Sequence, residues 1–156
     1  MTEEQIKNLI KIWYQRSNLE LNNPFSKFLF LWICFNAWIA HRSEKRRDLE
    51  MIEWLIGQNE SNSDLILNYE NAKNTKSFVN NLKSFAMLSP ISDSRGINNP
   101  IIIKDENDRE NIIRGIYKIR CNLFHGGKSD ESRDSKLVTV SCRILEKWIG
   151  NLISNW

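Results

Sequence analysis

One long apolar segment constrains the fold of this chain more than any other feature. From Phe25 to Arg42 the sequence contains neither proline nor glycine, and large apolar side chains fall on nearly every side of the helix it would form. Pro24 suits the first turn of such a helix. A helix without a polar face needs other elements to cover it. This segment therefore predicts a helix that lies at the centre of the fold or is covered by a partner chain.

The remainder of the chain also follows a helical period. Only three prolines and six glycines occur in 156 residues, and no alternation of period two persists. An isoleucine triplet, Ile101–Ile103, is expected to pack a loop onto the core rather than to form an edge strand. The length suits one domain, residues 1–156, which we expect to be an all-α bundle of five to six helices. The predicted helices are Thr2–Leu19, Phe25–Arg42, Asp48–Gly57, Thr75–Ser89, Asp105 to Gly126-Gly127, and a last helix that begins after Asp130-Glu131 and runs to the end, with a weaker piece at Asp64–Ala72.

Composition and cysteine usage exclude several classes of protein. Apolar residues make up 41% and charged residues 26% of the chain, which excludes a disordered protein, and a net charge of +3 favours anionic partners only mildly. The three cysteines, Cys34, Cys121 and Cys142, fit neither a zinc site nor a disulfide framework, so no metal and no cofactor is expected. The polar start, Met1–Gln5, predicts no signal peptide, and Phe28–Ala40 is too short to span a bilayer. We expect a cytoplasmic protein without a membrane partner.

Functional side chains concentrate near the end of the fifth predicted helix. At about 100° per residue, one stripe of this helix is apolar throughout and forms its core face. A second stripe beside it places Arg120 among apolar neighbours, and the opposite side ends on His125, one of only two histidines. The core stripe is Ile112, Ile116, Ile119 and Leu123, the second stripe is Ile113, Tyr117, Arg120 and Phe124, and the opposite side is Arg114, Lys118, Asn122 and His125.

Arg120 and His125 each admit two interpretations. A guanidinium on an apolar face needs a partner, which is either a carboxylate from another helix, such as Glu50, Glu53 or Glu146, or a phosphate of a ligand. His125 either stabilises the helix C-terminus or exchanges a proton near neutral pH. The two side chains point about 140° apart on an ideal helix, so one chain would not easily aim both at one group. A two-fold axis through Ile113, Tyr117 and Phe124 would bring both pairs into one cleft, which predicts a homodimer.

These residues carry a resemblance to a known family. Arg120-Cys-Asn-Leu-Phe-His125 resembles the Arg-x4-His motif of HEPN domains, and Tyr117–Lys128 is similar to a subset in which Gly-Gly-Lys follows the motif. The segment Phe28–Trp38, with its Phe-Asn-Ala core, resembles the aromatic early helix of that subset. Arg133-Asp134 with Lys136-Leu137 resembles the start of its last helix.

The resemblance implies a metal-independent endoribonuclease that acts as a homodimer, as the toxic or defensive effector of a prokaryotic system with an antitoxin or defence partner. It implies that His125 serves as acid or base and that Arg120 neutralises the scissile phosphate. Asn122 would orient the imidazole or contact RNA. Cys121 follows the arginine where active members usually carry a polar residue, so a non-catalytic module that binds RNA, a nucleotide or a partner protein is the alternative. Nearby cations that could track an RNA backbone are Arg114, Lys118, Lys128 and Arg133.

Overall fold

The structure is a computed structural model that describes residues 1–93, 99–124 and 131–156, the last range without the side chains of residues 131–133. Seven helices occur in this described part of the chain, so the all-α prediction is confirmed and the expected count of five to six was too low. The additional helix is the segment 64–72, which the sequence indicated only weakly. The helices are α1 (Glu3–Ser17), α2 (Pro24–Ser43), α3 (Asp48–Ile56), α4 (Asp64–Ala72), α5 (Lys76–Met87), α6 (Arg109–Phe124) and α7 (Glu131–Ser154).

Local side chains account for where several helices begin. Thr2 and Gln5 form a reciprocal capping box at the start of α1. Asn23 accepts a hydrogen bond from the third residue of α2, whose first residue is Pro24. Ser63 caps α4 in the same way, since its hydroxyl accepts from the Ile66 N–H. The short α4 therefore has its own start signal as well as a buried face.

Helices α2 and α7 form the centre of the fold. Helix α2 packs against α1, α3, α6 and α7, and α7 also packs against α4 and α5. Trp38 of α2 and Trp148 of α7 are completely buried, and the ring of Phe35 meets Trp148 edge-on at 4.8 Å between centroids. The prediction of a central helix over 25–42 is thus confirmed. A strip of α2 that includes Leu29 and Ile33 nevertheless remains partly exposed.

Helix α6 begins later than the sequence indicates. Acidic residues from Asp105 onward predicted a start there, but α6 starts at Arg109. The Asp105 carboxylate accepts from the Asn107 N–H at 2.8 Å, and this local bond holds the segment in a turn. Asp108 then lies where an N-cap is expected and accepts from the amide of Asn111. Burial raises the pKa of Asp108, but the hydrogen bonds that Lys104 and Asn111 donate outweigh it and lower the pKa overall.

Helix α6 is anchored to the core through a glycine and a packed loop. A Cβ at Gly115 would lie 2.9 Å from the end of Ile91 and 3.1 Å from the Phe85 ring, so only glycine allows this approach without displacement. Ile91 and Ile101 exchange backbone hydrogen bonds of 2.8 and 2.9 Å, and Ile103 is buried. Ile101 and Ile103 therefore pack a loop onto the core, as predicted, whereas Ile102 is exposed.

Two further sequence expectations can be compared with the structure. In the described ranges, no helix combines the length and apolar character needed to cross a membrane. Cys34 and Cys142 are buried, and burial raises the pKa of each thiol to about 12. These two cysteines are small core residues, whereas Cys121 is only half-buried.

Candidate functional site

Arg120 lies one turn before the end of α6 and is bound to a carboxylate. Its Nη2 is 2.8 Å from Oδ2 of Asp48, the first residue of α3. An ion pair was one of the two sequence interpretations, but the partner is none of the three glutamates that the sequence suggested. The N-terminal turn of α3 favours a carboxylate there, because its backbone N–H groups carry partial positive charge.

Asp48 is itself held by a residue of the central helix. Asn36 of α2 donates from Nδ2 to Oδ1 of Asp48 at 3.0 Å, so each carboxylate oxygen has one side-chain partner. Arg47, at the N-cap of α3, makes no side-chain cap hydrogen bond. The Asn36–Asp48–Arg120 group therefore joins α2, α3 and α6.

An aromatic ring completes the surroundings of Arg120. The guanidinium carbon lies 4.3 Å from the centroid of the Phe124 ring, which is 57% exposed. The Arg120 side chain is 25% exposed, but its Nε is buried and has no hydrogen-bond partner among the described residues. The stem of the arginine is thus packed while the far end of its guanidinium reaches the surface.

Tyr117 and Cys121 lie on the same side of α6, one turn apart. The Tyr117 ring packs against Trp32 of α2, with 6.2 Å between centroids. Burial, together with a hydrogen bond to Cys121, raises the pKa of Tyr117 to about 12.

The structure corrects one residue of the predicted dimer interface. Ile113 is 1% exposed and packs within the core of its own chain, so it is not available to a second copy. The helical wheel placed it beside Tyr117 and Phe124, but the α6 surface that other helices cover is broader near the start of the helix. Tyr117 is half-buried and Phe124 is exposed, so both can reach a partner.

Two of the predicted RNA-binding cations are already paired. Arg114 makes a bidentate contact with Glu53 of α3 and also contacts Glu110. Hydrogen bonds from Arg114 lower the pKa of Glu53, and the same bonds raise the pKa of Arg114. Lys118 lies 3.7 Å from the buried carboxylate of Asp93, and its side chain is only 13% exposed. These two side chains hold α6 against its neighbours.

Several predicted site residues fall at or beyond the end of the described α6. Asn122 donates from Nδ2 to the Ser92 carbonyl at 2.9 Å, which ties the segment after α5 to α6. His125 and Lys128 lie outside the described residues, as does the side chain of Arg133. Of the three predicted catalytic residues, Arg120 and Asn122 lie on the described part of α6.

Sequence reasoning missed Asn36 and Asp48. Asn36 is the only amide within the apolar segment of α2, and a lone polar residue in such a helix calls for a polar partner. Asp48 had a weaker signal because it follows the charged run 42–47 and resembles an ordinary first-turn acid.

The arrangement is suited to binding an anion through directed hydrogen bonds. The closest contact between Arg120 and Asp48 joins Nη2 to Oδ2, and Nη1 makes no hydrogen bond within the described part of the chain. A guanidinium with an open edge can offer donors to a phosphate. Across residues 1–93, 99–124 and 131–156, no group of three or more His, Cys, Asp or Glu side chains is placed to hold a metal ion.

Comparisons with protein-family models, with curated proteins and with solved structures gave no match for this chain.

Proposed function

We propose that this chain is a metal-independent endoribonuclease of the HEPN type that acts as a homodimer. The observation that carries the proposal is the state of Arg120, five residues before His125 in the sequence. Its guanidinium is stacked on an exposed ring, and its Nη1 makes no hydrogen bond to the described residues. The resemblance of the Arg-x4-His motif supplies the reaction type.

RNA supplies its own nucleophile for this reaction. A base removes the proton of the ribose 2′-hydroxyl, and the 2′-oxygen forms a bond to the adjacent phosphorus. The bond from phosphorus to the 5′-oxygen breaks, and an acid protonates that leaving oxygen, so the products are a 2′,3′-cyclic phosphate and a 5′-hydroxyl. We assign the proton transfers to His125 and the neutralisation of the phosphate to Arg120. Asn122 is assigned a supporting contact to RNA or to the imidazole.

The proposed dimer uses the surface that α6 and α2 leave open. Tyr117 and Phe124 remain from the predicted interface, while buried Ile113 is excluded. Ile33 is 37% exposed on α2, and Leu29 lies on the same side of that helix. None of these four remaining side chains carries a charge, so a second copy could pack on them without placing like charges opposite each other.

The proposal is tested by RNA cleavage with purified protein, with structured and unstructured RNA, in the presence and absence of EDTA. His125→Ala and Arg120→Ala should each lose about 100-fold or more in cleavage rate, the lower range for removal of an acid–base or charge-stabilising group. Matched controls are His41→Ala, since His41 is bound to Glu3, and Arg109→Ala, since Arg109 is paired with Glu70. Equal cleavage by wild type and His125→Ala, or a strict need for added metal, contradicts the proposal.

The state of Cys121 favours a second candidate, a non-catalytic module that binds RNA, a nucleotide or a partner protein such as an antitoxin. Cys121 is half-buried and stands where active members of that family carry a polar residue after the arginine. Binding of RNA without turnover, lost in Arg120→Ala, would select this function. A monomer by light scattering at micromolar concentration would remove the dimer from either candidate.

A further inference from the structure

We propose that Asp48, fixed in place by Asn36, is the positioning residue that aims the Arg120 guanidinium at the phosphate. This inference rests on the proposed function, because the phosphate is the RNA phosphate of that reaction. Asp48 does not touch substrate in this proposal. It acts through Arg120, and Asn36 acts through Asp48.

Two arginines of α6 contact carboxylates of α3 in different ways. Helices α3 and α6 are joined by two Arg–carboxylate pairs, Arg114–Glu53 and Arg120–Asp48. Arg114 gives Nη1 and Nη2 to Glu53 and Nε to Glu110, so its donors face protein carboxylates. For Arg120 the closest contact joins Nη2 to Oδ2 of Asp48, and its Nε has no hydrogen-bond partner among the described residues. The second pair therefore holds its arginine and leaves other donors of the same group open.

The contacts around Arg120 leave its side chain few motions. An arginine side chain has many rotamers, so an unsupported guanidinium is poorly aimed. Here the Phe124 ring lies against the guanidinium carbon at 4.3 Å, the surroundings of the buried Nε hold the stem, and Asp48 holds Nη2. Loss of the Asp48 contact would leave the guanidinium free to turn on the Phe124 face.

The Asp48 carboxylate is itself held in one orientation. A carboxylate with one partner could rotate about its own side chain and carry the arginine with it. Asn36 binds the other oxygen at 3.0 Å from the central helix α2. The orientation of Arg120 is therefore set by a residue of the central helix α2 and not by a surface side chain.

The negative charge of Asp48 changes what Arg120 can contribute. Asp48 offsets most of the attraction that Arg120 would exert on RNA from a distance, so the pair is poorly suited to general RNA attraction. The Asp48–Arg120 pair instead preserves the direction of the remaining N–H groups of Arg120. Directed donors matter most when the charge on the phosphate oxygens grows during reaction, which is a kcat effect rather than a binding effect.

The test compares Asp48→Asn with Glu53→Gln. Both substitutions change a carboxylate of α3 to its amide, both remove one negative charge, and both weaken an arginine contact between the same two helices. A general gain in RNA attraction would move both variants alike. We expect kcat of Asp48→Asn to fall about 10-fold or more below that of Glu53→Gln, with KM values within about threefold of each other, since misplacement of a contact to the reacting group costs up to about 100-fold. Equal kcat values overturn the inference.

A second readout needs no RNA. The buried Nε–H of Arg120 should exchange slowly with water, and arginine-labelled protein reports this exchange by NMR. We expect the exchange to be about fivefold faster or more in Asp48→Asn than in wild type and Glu53→Gln, because a loosened guanidinium exposes its Nε. Unchanged exchange in Asp48→Asn overturns the inference whether or not the wild type cleaves RNA, whereas a wild type without cleavage overturns the proposed function alone.

Asn36→Ala serves as the second variant in case Asp48→Asn does not fold. It retains the Asp48–Arg120 pair and removes only the bond that orients Asp48. We expect a smaller loss of kcat, about threefold, and faster Nε–H exchange than in Glu53→Gln. Full kcat together with wild-type exchange in Asn36→Ala overturns the role assigned to Asn36.

Discussion

Removal of one buried hydroxyl should stabilise this protein. Tyr69 of α4 is completely buried, and its hydroxyl has no hydrogen-bond partner among the described residues. Burial raises the pKa of this phenol well above its usual value, so the group is neutral. Its ring packs edge-on against Phe78 and Trp148, at 5.6 and 4.9 Å between centroids, and these contacts do not need the oxygen.

The expected gain follows from two opposing terms. A buried hydroxyl without a hydrogen bond costs about 1–3 kcal/mol in mutational data, and Tyr69→Phe removes that cost. The oxygen leaves a void of about 10 Å³, which at about 24 cal/mol per Å³ costs roughly 0.2 kcal/mol. We therefore expect the free energy of unfolding to rise by about 1 kcal/mol. The melting temperature should rise by about 2–4 °C.

The measurement is urea unfolding at pH 7, followed by far-UV circular dichroism so that tryptophan substitutions do not alter the signal. The matched control is Trp148→Phe in the same aromatic cluster, where Nε1 donates to the Leu65 carbonyl at 2.7 Å. That variant loses a hydrogen bond, orphans a buried carbonyl and opens a larger void, so we expect about 3 kcal/mol of destabilisation. The reasoning is refuted if Tyr69→Phe lowers the free energy of unfolding by more than about 0.5 kcal/mol, the usual limit for a neutral substitution.

Two further predictions concern the helix that carries the candidate site. Gly115→Ala should destabilise the protein by about 1 kcal/mol in the same urea assay. Overpacking against the buried Phe85 ring costs about 1–3 kcal/mol, and the better helix propensity of alanine returns only about 1 kcal/mol. A variant more stable than the wild type would show that the Phe85 ring moves aside at little cost. Glu53→Gln should lower stability at pH 7 by about 0.5 kcal/mol, since the pair with Arg114 is largely exposed. The folded-state pKa of Glu53 is lowered, so its contribution is present above the ordinary value of 4.5 and is lost as the pH falls through the folded-state pKa. Unfolding curves at pH 7 and below should therefore converge for wild type and Glu53→Gln, and a gap that persists once the carboxylate is protonated would contradict this origin.

Helical periodicity was sufficient to predict the all-α class and the positions of most helices. Periodicity indicated Asp64–Ala72 only weakly, although the structure has a helix with these bounds and the Ser63 cap is readable. It also placed the start of α6 too early, because acidic residues are equally typical of a first helical turn and of the side-chain-capped turn that Asp105 forms.

The candidate site was only partly predictable. The wheel correctly placed Arg120 beside apolar neighbours and required a partner for it, because both conclusions depend on local spacing alone. The identity of that partner depends on how α3 docks against α6, and first-turn carboxylates such as Asp48 are common in helices that hold no site. Ile113 was misplaced for the same reason, since a wheel shows which residues share a side but not how much of that side other helices cover.

The connection from Asn36 through Asp48 to Arg120 also has a consequence for synthesis and folding. Its three members come from three different helices, and the contact to Arg120 cannot form until α6 has docked on the first half of the protein. Long-range contacts of this kind form late. A nascent or partly folded chain would therefore carry the arginine without its orientation, and a competent site would report that α6 has docked on α2 and α3.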